Sequence, residues 1–516
     1  MNGAEILMTT ALESGIKVCF SNPGTTEMPL LAALDSTPGM RGVLGMFEGV
    51  CTGAADGYGR MKDSPAMTLL HLGPGLGNGL ANLHNARRAD TPIVNLIGDH
   101  ATWHLAADAP LTMDIESIAK TVGVTQRLDC LETLSQSTAD AVHSAMSGQV
   151  VSLIVPHDVQ WSEAQGLEIA SPTASRANIN ADSVAEAAKI LNDSSNALLL
   201  LGGAALRKEG LKFVEKIQEK TGCALLAETF PSHFERGAGS QQIDRLPYFP
   251  EKAIDVLSRY ECIVSAGAPL PVSFFAYQGM PSFLINEQQK FASLESSPRA
   301  IPLALEHLED ALLKKGHDRR IAQNQFKNPE LPQGELSGKK VSYILAAMQP
   351  DNAIIVDESV TSGGAYYQSS ATAMPHSLIT LTGGAIGYGM PCATGAAIAC
   401  PDRPVFDFQA DGSAMYTIQA LWTQAREGLD VTTLLCSNRN YNILQMEYKR
   451  AGYRHMGEKA RALTELDNPF LDWVGISKGM GVPAVSVDSA ESLVTALKIA
   501  IEEPGPHLIE IPLPVR

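Results

Sequence analysis

Short apolar, β-prone runs recur along the chain and alternate with stretches whose apolar residues fall three and four apart. The runs lie at residues 17–20, 67–70, 93–97 and 150–155, then at 197–201, 223–226, 262–264 and 282–285, and finally at 353–356, 405–408, 431–435 and 507–511. Runs of this length between helical patterns predict parallel strands covered by helices. Residues 171–182 and 316–339 break the alternation: both are polar, contain proline and lack periodicity, so they are predicted to be linkers. After the first linker, Ser183 and Glu186 have capping-box spacing ahead of Ala187, Ile190 and Leu191, and a helix is predicted to open there. The fold class is therefore α/β, with three Rossmann-like parallel-sheet domains at 1–170, 183–315 and 338–516. In the second, Gly202-Gly203 follows a strand without the GxGxxG spacing of a dinucleotide site, which predicts a tight turn.

Residues 405–444, VFDFQADGSAMYTIQALWTQAREGLDVTTLLCSNRNYNIL, combine two such runs with candidate chemistry. The first run stops at Ala410-Asp411-Gly412-Ser413. A helix pattern then puts Ile418, Leu421, Trp422 and Ala425 on one face, and the second run stops at Ser437-Asn438-Arg439-Asn440. In a parallel sheet both turns fall at the carboxyl edge, where ligands bind, so Asp411 and Asn438 are expected to meet. A carboxylate, an amide oxygen and a loop carbonyl are hard donors that suit Mg²⁺ completed by water and diphosphate oxygens. Gly412 permits close backbone approach, and Ser413 stands where a helix begins, with N–H groups free to face phosphate. Either turn alone reads as an ordinary polar loop. Together, separated by one helix and one strand, they point to a diphosphate and metal site.

Composition narrows the class. At 516 residues with 45% hydrophobic and 18% charged positions, the chain is long enough for several domains with large cores. The balance of 39 basic against 56 acidic residues, a net charge of −17, argues against nucleic acid or an anionic membrane as partner. The first residues lack a basic region followed by a long apolar run, and eight cysteines are scattered without CxxC spacing. A cytoplasmic protein with reduced thiols is expected.

The Asp411 to Asn440 stretch resembles the thiamin diphosphate motif, in which a GDG triplet is followed after a helix and a strand by NN. Its surroundings resemble benzoylformate decarboxylase and acetolactate synthase. Ala410 and Ser437 replace the first glycine and the first asparagine of that pattern, and neither replaced residue is an expected ligand. The resemblance implies that Asp411, Asn438 and the Asn440 carbonyl hold Mg²⁺, while Gly412, Ser413 and Tyr441 contact the cofactor.

Other segments extend the likeness. MFEGVCTGAADGYGR starts at Met46; read alone, Glu48 is a solvated first-turn acid, whereas the resemblance implies that it contacts the aminopyrimidine of the cofactor. A carboxyl is needed there because activation of the thiazolium C2 proton requires a protonated pyrimidine nitrogen. HLGPGLGNG, from His71, fits neither a P-loop nor a dinucleotide fingerprint. A histidine at a strand end is more often structural, but the resemblance makes His71 catalytic, puts Asn78 at the cofactor, and sets Thr25 where the decarboxylase has an active-site serine. In TGGAIGYGMP, Gly384, Ala385 and Ile386 match the segment that packs between the cofactor rings. Pro110, Leu111 and Ile443 would wall the substrate pocket. Phe274, after the Gly267-Ala268-Pro269 turn, stands where the decarboxylase has a second histidine. Glu358, Ser359 and Thr361 are further candidate diphosphate or pocket contacts. His100 and His104 would share a helical face, yet no third metal ligand is evident, and a channel or surface role is expected.

The resemblance implies a thiamin diphosphate- and Mg²⁺-dependent 2-oxo acid decarboxylase or C–C lyase acting on a 2-oxo acid or 2-hydroxy ketone. An acetolactate synthase-like carboligase is the enzymatic alternative, and a catalytically silent cofactor-binding protein is a third reading that Glu48 argues against. Pyrimidine-binding, middle and diphosphate-binding domains would follow in that order. A homodimer or homotetramer is expected because the two ends of one cofactor are held by different subunits in such enzymes. Flavin is not expected, since residues 230–240 read FPSHFERGAGS rather than an LGMHG-like segment.

Overall fold

All but one of the apolar runs form strands, and together with strands outside those runs they make three sheets. The computed structural model describes residues 1–62, 64–164, 168–170, 179–294, 297–313, 323–327 and 329–514, so most of the first predicted linker, and residues 316–322 and 328 of the second, lie outside the described residues. The first sheet contains β1 (Val18–Asn22), β2 (Arg41–Leu44), β3 (Ala66–Leu70), β4 (Ile93–Asp99), β5 (Val124–Arg127) and β6 (Val150–Pro156), in the order β2-β1-β3-β4-β6-β5 and wholly parallel. Its central strands β3, β4 and β6 are buried at every residue, so they read as continuous apolar runs. The edge strands β2 (RGVL) and β5 (VTQR) are half exposed and polar, which hides them from a search for apolar runs.

Next along the chain come β7 (Ala197–Leu201), β8 (Ala224–Ala227), β9 (Phe234–Arg236), β10 (Asp244–Arg245), β11 (Cys262–Ala266) and β12 (Lys290–Ser293). All but β9 form a parallel second sheet, β10-β8-β7-β11-β12. The strand predicted at residues 282–285 does not form. Phe283 makes only an isolated bridge to Val272 and Leu284 turns into the core, so β12 takes the edge position beside β11. The predicted capping box is also replaced. Asn180 caps the helix Ala181–Asp193, its Oδ1 accepting the N–H groups of Asp182 and Ser183 at 3.0 and 3.2 Å, so the helix opens before Ser183 can cap it.

The third sheet, β17-β18-β16-β15-β13-β14-β9, uses β13 (Ala353–Glu358), β14 (His376–Thr380), β15 (Val405–Ala410), β16 (Val431–Ser437), β17 (Ala484–Ser486) and β18 (His507–Pro512). It is parallel except at its edge, where β9 pairs antiparallel with β14, so the middle part of the chain completes the last sheet. The strand β14 (HSLIT) is fully buried despite its polar letters. No helix among the described residues is long and apolar enough to cross a membrane.

First and third sheets meet through two helices, Glu48–Lys62 and Gly389–Ala399. The approach is backbone to backbone. A Cβ on Gly395 would lie 1.8 Å from the Ala54 carbonyl oxygen, and one on Gly57 would lie 2.0 Å from that of Cys392. Glycine is therefore required at both positions.

Behind this contact, Asp407 sits fully buried in the middle of β15 with its Oδ1 unpartnered. Burial pushes its carboxyl well above the usual carboxylate range, and the neighbouring Glu358 charge pushes the same way. The folded protein holds this proton to higher pH than the unfolded chain does. The group's contribution to stability is therefore full below the unfolded value, about 3.9, and is lost as pH rises through the folded one. Asp407→Asn, which has no proton to lose, is expected to raise the apparent Tm by ~2–4 °C at pH 8 and by much less at pH 4.5. Thermal scans at the two pH values check this, and an equal change at both would contradict it.

Candidate active site

At the carboxyl edge of the third sheet, the two turns singled out in the sequence do meet. The N–H of Arg439 donates to Asp411 Oδ2 at 2.6 Å, and that of Gly412 donates to Oδ1 at 2.9 Å. The helix after β15 begins at Asp411, two residues earlier than the sequence pattern indicated, and is a single turn to Ala414. A second helix follows at Ala420–Glu427, with Leu421 buried and Trp422 only half-buried. Arg439 lies at φ 56°, a strained value for a side-chain-bearing residue, and this bend folds Asn438 and Asn440 toward each other. Asn438 Oδ1 accepts the Asn440 N–H at 2.9 Å, while the Asn440 side-chain oxygen is buried without a partner. Burial pushes the Asp411 carboxyl up to about 6, against the pull of the N–H groups from Arg439 and Gly412. Gly412 has no room for a side chain, because a Cβ there would lie 2.4 Å from the Tyr441 ring.

A cavity of about 330 Å³ opens beside this loop, lined among others by Thr361, Ser362, Asn438, Asn440 and Asn442. Thr361 thus borders it, but Glu358 and Ser359 do not serve as the sequence indicated. The Glu358 carboxylate is turned inward, accepting the N–H groups of Gly387 at 2.8 Å and Gly389 at 2.7 Å and the Gln409 amide at 3.0 Å. Ser359 donates to Asp357 at 2.5 Å. Both residues brace the strand ends from inside.

At the carboxyl edge of the first sheet, Glu48 opens the helix Glu48–Lys62 and is 9% exposed. Its Oε2 accepts the Asn78 amide at 2.9 Å, which brings together two residues thirty positions apart in sequence. His71 caps the helix Leu72–Arg88, and Leu72 at φ 50° makes the turn that aims it. A Cβ on Gly75 would lie 3.2 Å from Glu48 Oε1 and 3.4 Å from His71 Cβ, so the two side chains border one glycine. Thr25 is solvent-exposed at the end of β1, and the buried residues there are its neighbours Thr26 and Glu27. Glu27 pairs with His71 Nδ1 at 2.7 Å. In the sequence Glu27 is only the last residue of the turn that holds Thr25, and nothing in the letters distinguishes it from a solvated acid at a helix start.

Gly384, Ala385 and Ile386 form an irregular segment held by the helix Leu72–Arg88, with Asn85 bonding the carbonyl and N–H of Ala385 at 2.8 and 3.2 Å. Phe274 packs on it: a Cβ at Gly384, itself at φ 74°, would lie 2.7 Å from the phenyl ring. Phe230, Tyr248 and Phe275 surround that ring at centroid distances of 5.1 to 5.7 Å. Pro110 and Leu111 are exposed, and Ile443 is half-buried on the helix Asn442–Arg450. His100 and His104 stack edge to face at 5.5 Å, but only His104 lies in the short 3₁₀ segment Thr102–Ala107. Among the described residues no group of three histidine, cysteine or acidic side chains is placed to hold a metal.

The two groups face different sheet edges. No hydrogen bond or ion pair among the described residues joins Glu48, His71 or Asn78 to Asp411, Asn438 or Asn440. Their donor sets fit a divalent cation with diphosphate at one edge and a neutral nitrogen heterocycle at the other. The buried Asp411 carboxyl, the Asn438 amide oxygen and the Asn440 carbonyl are hard donors of the kind Mg²⁺ takes, and the buried Asn440 side-chain oxygen is a further polar atom left without a partner in the same loop. The Glu48 carboxyl can share a proton with a ring nitrogen.

Comparison with known proteins identifies the family. Residues 1–120 match the thiamine pyrophosphate enzyme N-terminal TPP binding domain, and residues 361–511 match the C-terminal TPP binding domain. A Mycobacterium tuberculosis protein provisionally named acetolactate synthase large subunit IlvX is 47% identical, covering 100% of this chain and 99% of that protein. Benzoylformate decarboxylase of Pseudomonas aeruginosa is 28% identical over 96% of both chains. The structure of a thiamine diphosphate-dependent 4-hydroxybenzoylformate decarboxylase from Rhodococcus jostii RHA1 shares the fold with a TM-score of 0.88, at 24% identity and 100% coverage of both chains. With a relative 47% identical along its full length and both cofactor-binding domains matched, the chain belongs to the thiamine pyrophosphate enzyme family.

Proposed function

We propose that the chain is a Mg²⁺-dependent 2-oxo acid decarboxylase or C–C lyase of the benzoylformate decarboxylase type, active as a homodimer or homotetramer in the cytoplasm. One observation carries the decarboxylase reading: His71 and Glu48 border the same glycine, so a residue whose ring can move a proton stands at the same sheet edge as the carboxyl assigned to the cofactor. All eight cysteines are free thiols, which supports a reducing compartment.

Bound thiamin diphosphate supplies a thiazolium that accepts the electron pair left when carbon dioxide departs. The chain's own residues hold and serve it. Asp411, Asn438 and the Asn440 carbonyl hold Mg²⁺; Gly412, Ser413 and Tyr441 border the diphosphate; Gly384, Ala385 and Ile386 lie along the rings. Glu48, kept in place by Asn78, shares a proton with the pyrimidine nitrogen. His71 exchanges a proton with the substrate, Thr25 stands at the same edge, and Pro110, Leu111, Phe274 and Ile443 bound the pocket. The separation of the Glu48 and Asp411 edges supports pairing of copies, the first domain (1–170) of one with the third (338–516) of the other, while 183–315 carries Phe274.

Phe274 favours the carboligase as a second reading. A phenyl ring against Gly384 cannot donate a proton, so Phe274 offers no group to protonate the product carbon, and an acceptor aldehyde would compete for it.

Asp411→Ala removes the one charged hard ligand, and an affinity loss for thiamin diphosphate of ~100-fold or more is expected by calorimetry in Mg²⁺; unchanged affinity would overturn the metal assignment. A panel of 2-oxo acids should give carbon dioxide with the parent protein, and adding an acceptor aldehyde should divert a substantial share of product to 2-hydroxy ketone. Phe274→His should shift the balance toward free aldehyde. Release of aldehyde alone across a range of acceptors would sink the account of Phe274, and no turnover of any 2-oxo acid would sink the decarboxylase reading.

A further inference from the structure

The environment of Glu27 is built around its carboxyl. Glu27 closes the 3₁₀ turn Thr25–Glu27 after β1 and is 0% exposed. Its Oε2 accepts the Gly24 N–H at 2.9 Å and faces His71 Nδ1 at 2.7 Å, while its Oε1 accepts the Thr26 hydroxyl at 2.5 Å. Space for the carboxyl exists only because residue 98, in β4, is glycine: a Cβ there would lie 1.8 Å from Oε1. Among the described residues no lysine or arginine pairs with Glu27, and its ion-pair partner is His71. A carboxylate buried this completely is costly unless its oxygens are hydrogen-bonded and its charge is answered.

We propose that Glu27 is a positioning residue for His71: its buried carboxylate holds the Nδ1 proton and leaves Nε2 as the atom that exchanges a proton in the site. The inference rests on the reading of His71 as the proton-transferring group. An ionised carboxylate only accepts hydrogen bonds, so the short contact requires the proton on Nδ1. With Nδ1 engaged, the other nitrogen of a neutral ring carries the lone pair. Nε2 makes no hydrogen bond among the described residues, and the His71 side chain keeps 22% exposure, in contrast to the sealed carboxyl behind it. The next titratable ring near Glu27 is His157, on the helix His157–Trp161. Burial lowers its pKa, with Glu27 and Asp158 opposing, and the ring that faces the Glu27 carboxyl at hydrogen-bond distance is that of His71. Thr26 completes the support: its hydroxyl donates to Glu27 and lies 3.4 Å from His71 Nδ1, so carboxyl, hydroxyl and ring form one cluster.

Neutron diffraction from deuterium-exchanged crystals of the holoenzyme, at a pH where the ring is neutral, reads the tautomer directly. Deuterium on Nδ1 of His71 and none on Nε2 is expected; deuterium on Nε2 alone overturns the proposal. In solution, Glu27→Ala should bind thiamin diphosphate as the parent does and lose kcat by ~10²-fold or more. Formate, which fits the space vacated by the carboxyl, should restore a large part of it. A kcat within twofold of the parent, or a loss that formate leaves untouched while cofactor affinity is kept, overturns the proposal. If Glu27→Ala does not fold, Glu27→Asp carries the kinetic arm: its shorter carboxylate should keep more activity than Glu27→Gln, and the reverse order would count against the idea. His71→Ala separates the two readings, since full activity in that variant would remove the catalytic role of His71 while the diffraction result still decides what Glu27 holds.

Discussion

The arrangement of both site edges depends on one buried ion pair. Arg60, with 1% of its side chain exposed, closes on Asp56 through two contacts of 2.6 and 2.8 Å within the helix that begins at Glu48. Its remaining donors reach out of that helix, to the carbonyl of Thr380 at 2.8 Å, the hydroxyls of Thr382 and Tyr388 at 3.1 and 3.2 Å, and the carbonyl of Ser232 at 3.4 Å. Burial opposes the charge, and Asp56 more than offsets it, so the guanidinium pKa lies above its usual value. Thr91 donates to the same Asp56 at 2.6 Å. Removing one partner from such a pair costs ~3–5 kcal/mol, because the other charge is left buried and unanswered. Its placement explains why so polar a cluster is kept in the core: it ties the helix carrying Glu48 to the segment that runs from β14 to Gly384 and Ile386.

Around this clamp the glycines and the strained residues take complementary parts. Gly57 and Gly395 let two helices touch backbone to backbone, so the sheets they cover cannot slide without collision. Among the described residues six with side chains occupy positive φ, and three of them adjoin a candidate site residue: Leu72 beside His71, Val360 beside Thr361, and Arg439 between Asn438 and Asn440. Such backbone costs about 1–3 kcal/mol per residue and persists only where surrounding packing overrides it. A rigid interior and strained rims together describe a site shaped before its ligands arrive.

Much of this was legible from letters alone, for a physical reason in each case. Strands such as β4 and β6 are buried on both faces, so their sequences are unbroken apolar runs. Asp411 and the loop from Asn438 were expected to meet because consecutive strands of a parallel sheet present their turns on one edge, and the 2.6 Å contact with the Arg439 N–H is the outcome. What escaped was decided by tertiary packing. The strands β2 and β5 lie at edges and carry polar residues, and β9 leaves its own stretch of chain to pair with β14. Asn180 outcompeted Ser183 for the helix cap. Glu27 looks like a solvated first-turn acid until Gly98, far onward in sequence, is seen to make room for it.

The central claim is that Glu48, held by Asn78 and anchored through Arg60, activates the cofactor by sharing a proton with it. The rate at which the C2 proton of bound thiamin diphosphate exchanges with deuterium measures that directly. The parent protein is expected to exchange rapidly, and Glu48→Gln, binding the cofactor with similar affinity, should be slower by ~10²–10⁴-fold. Exchange in Glu48→Gln as fast as in the parent would contradict the claim.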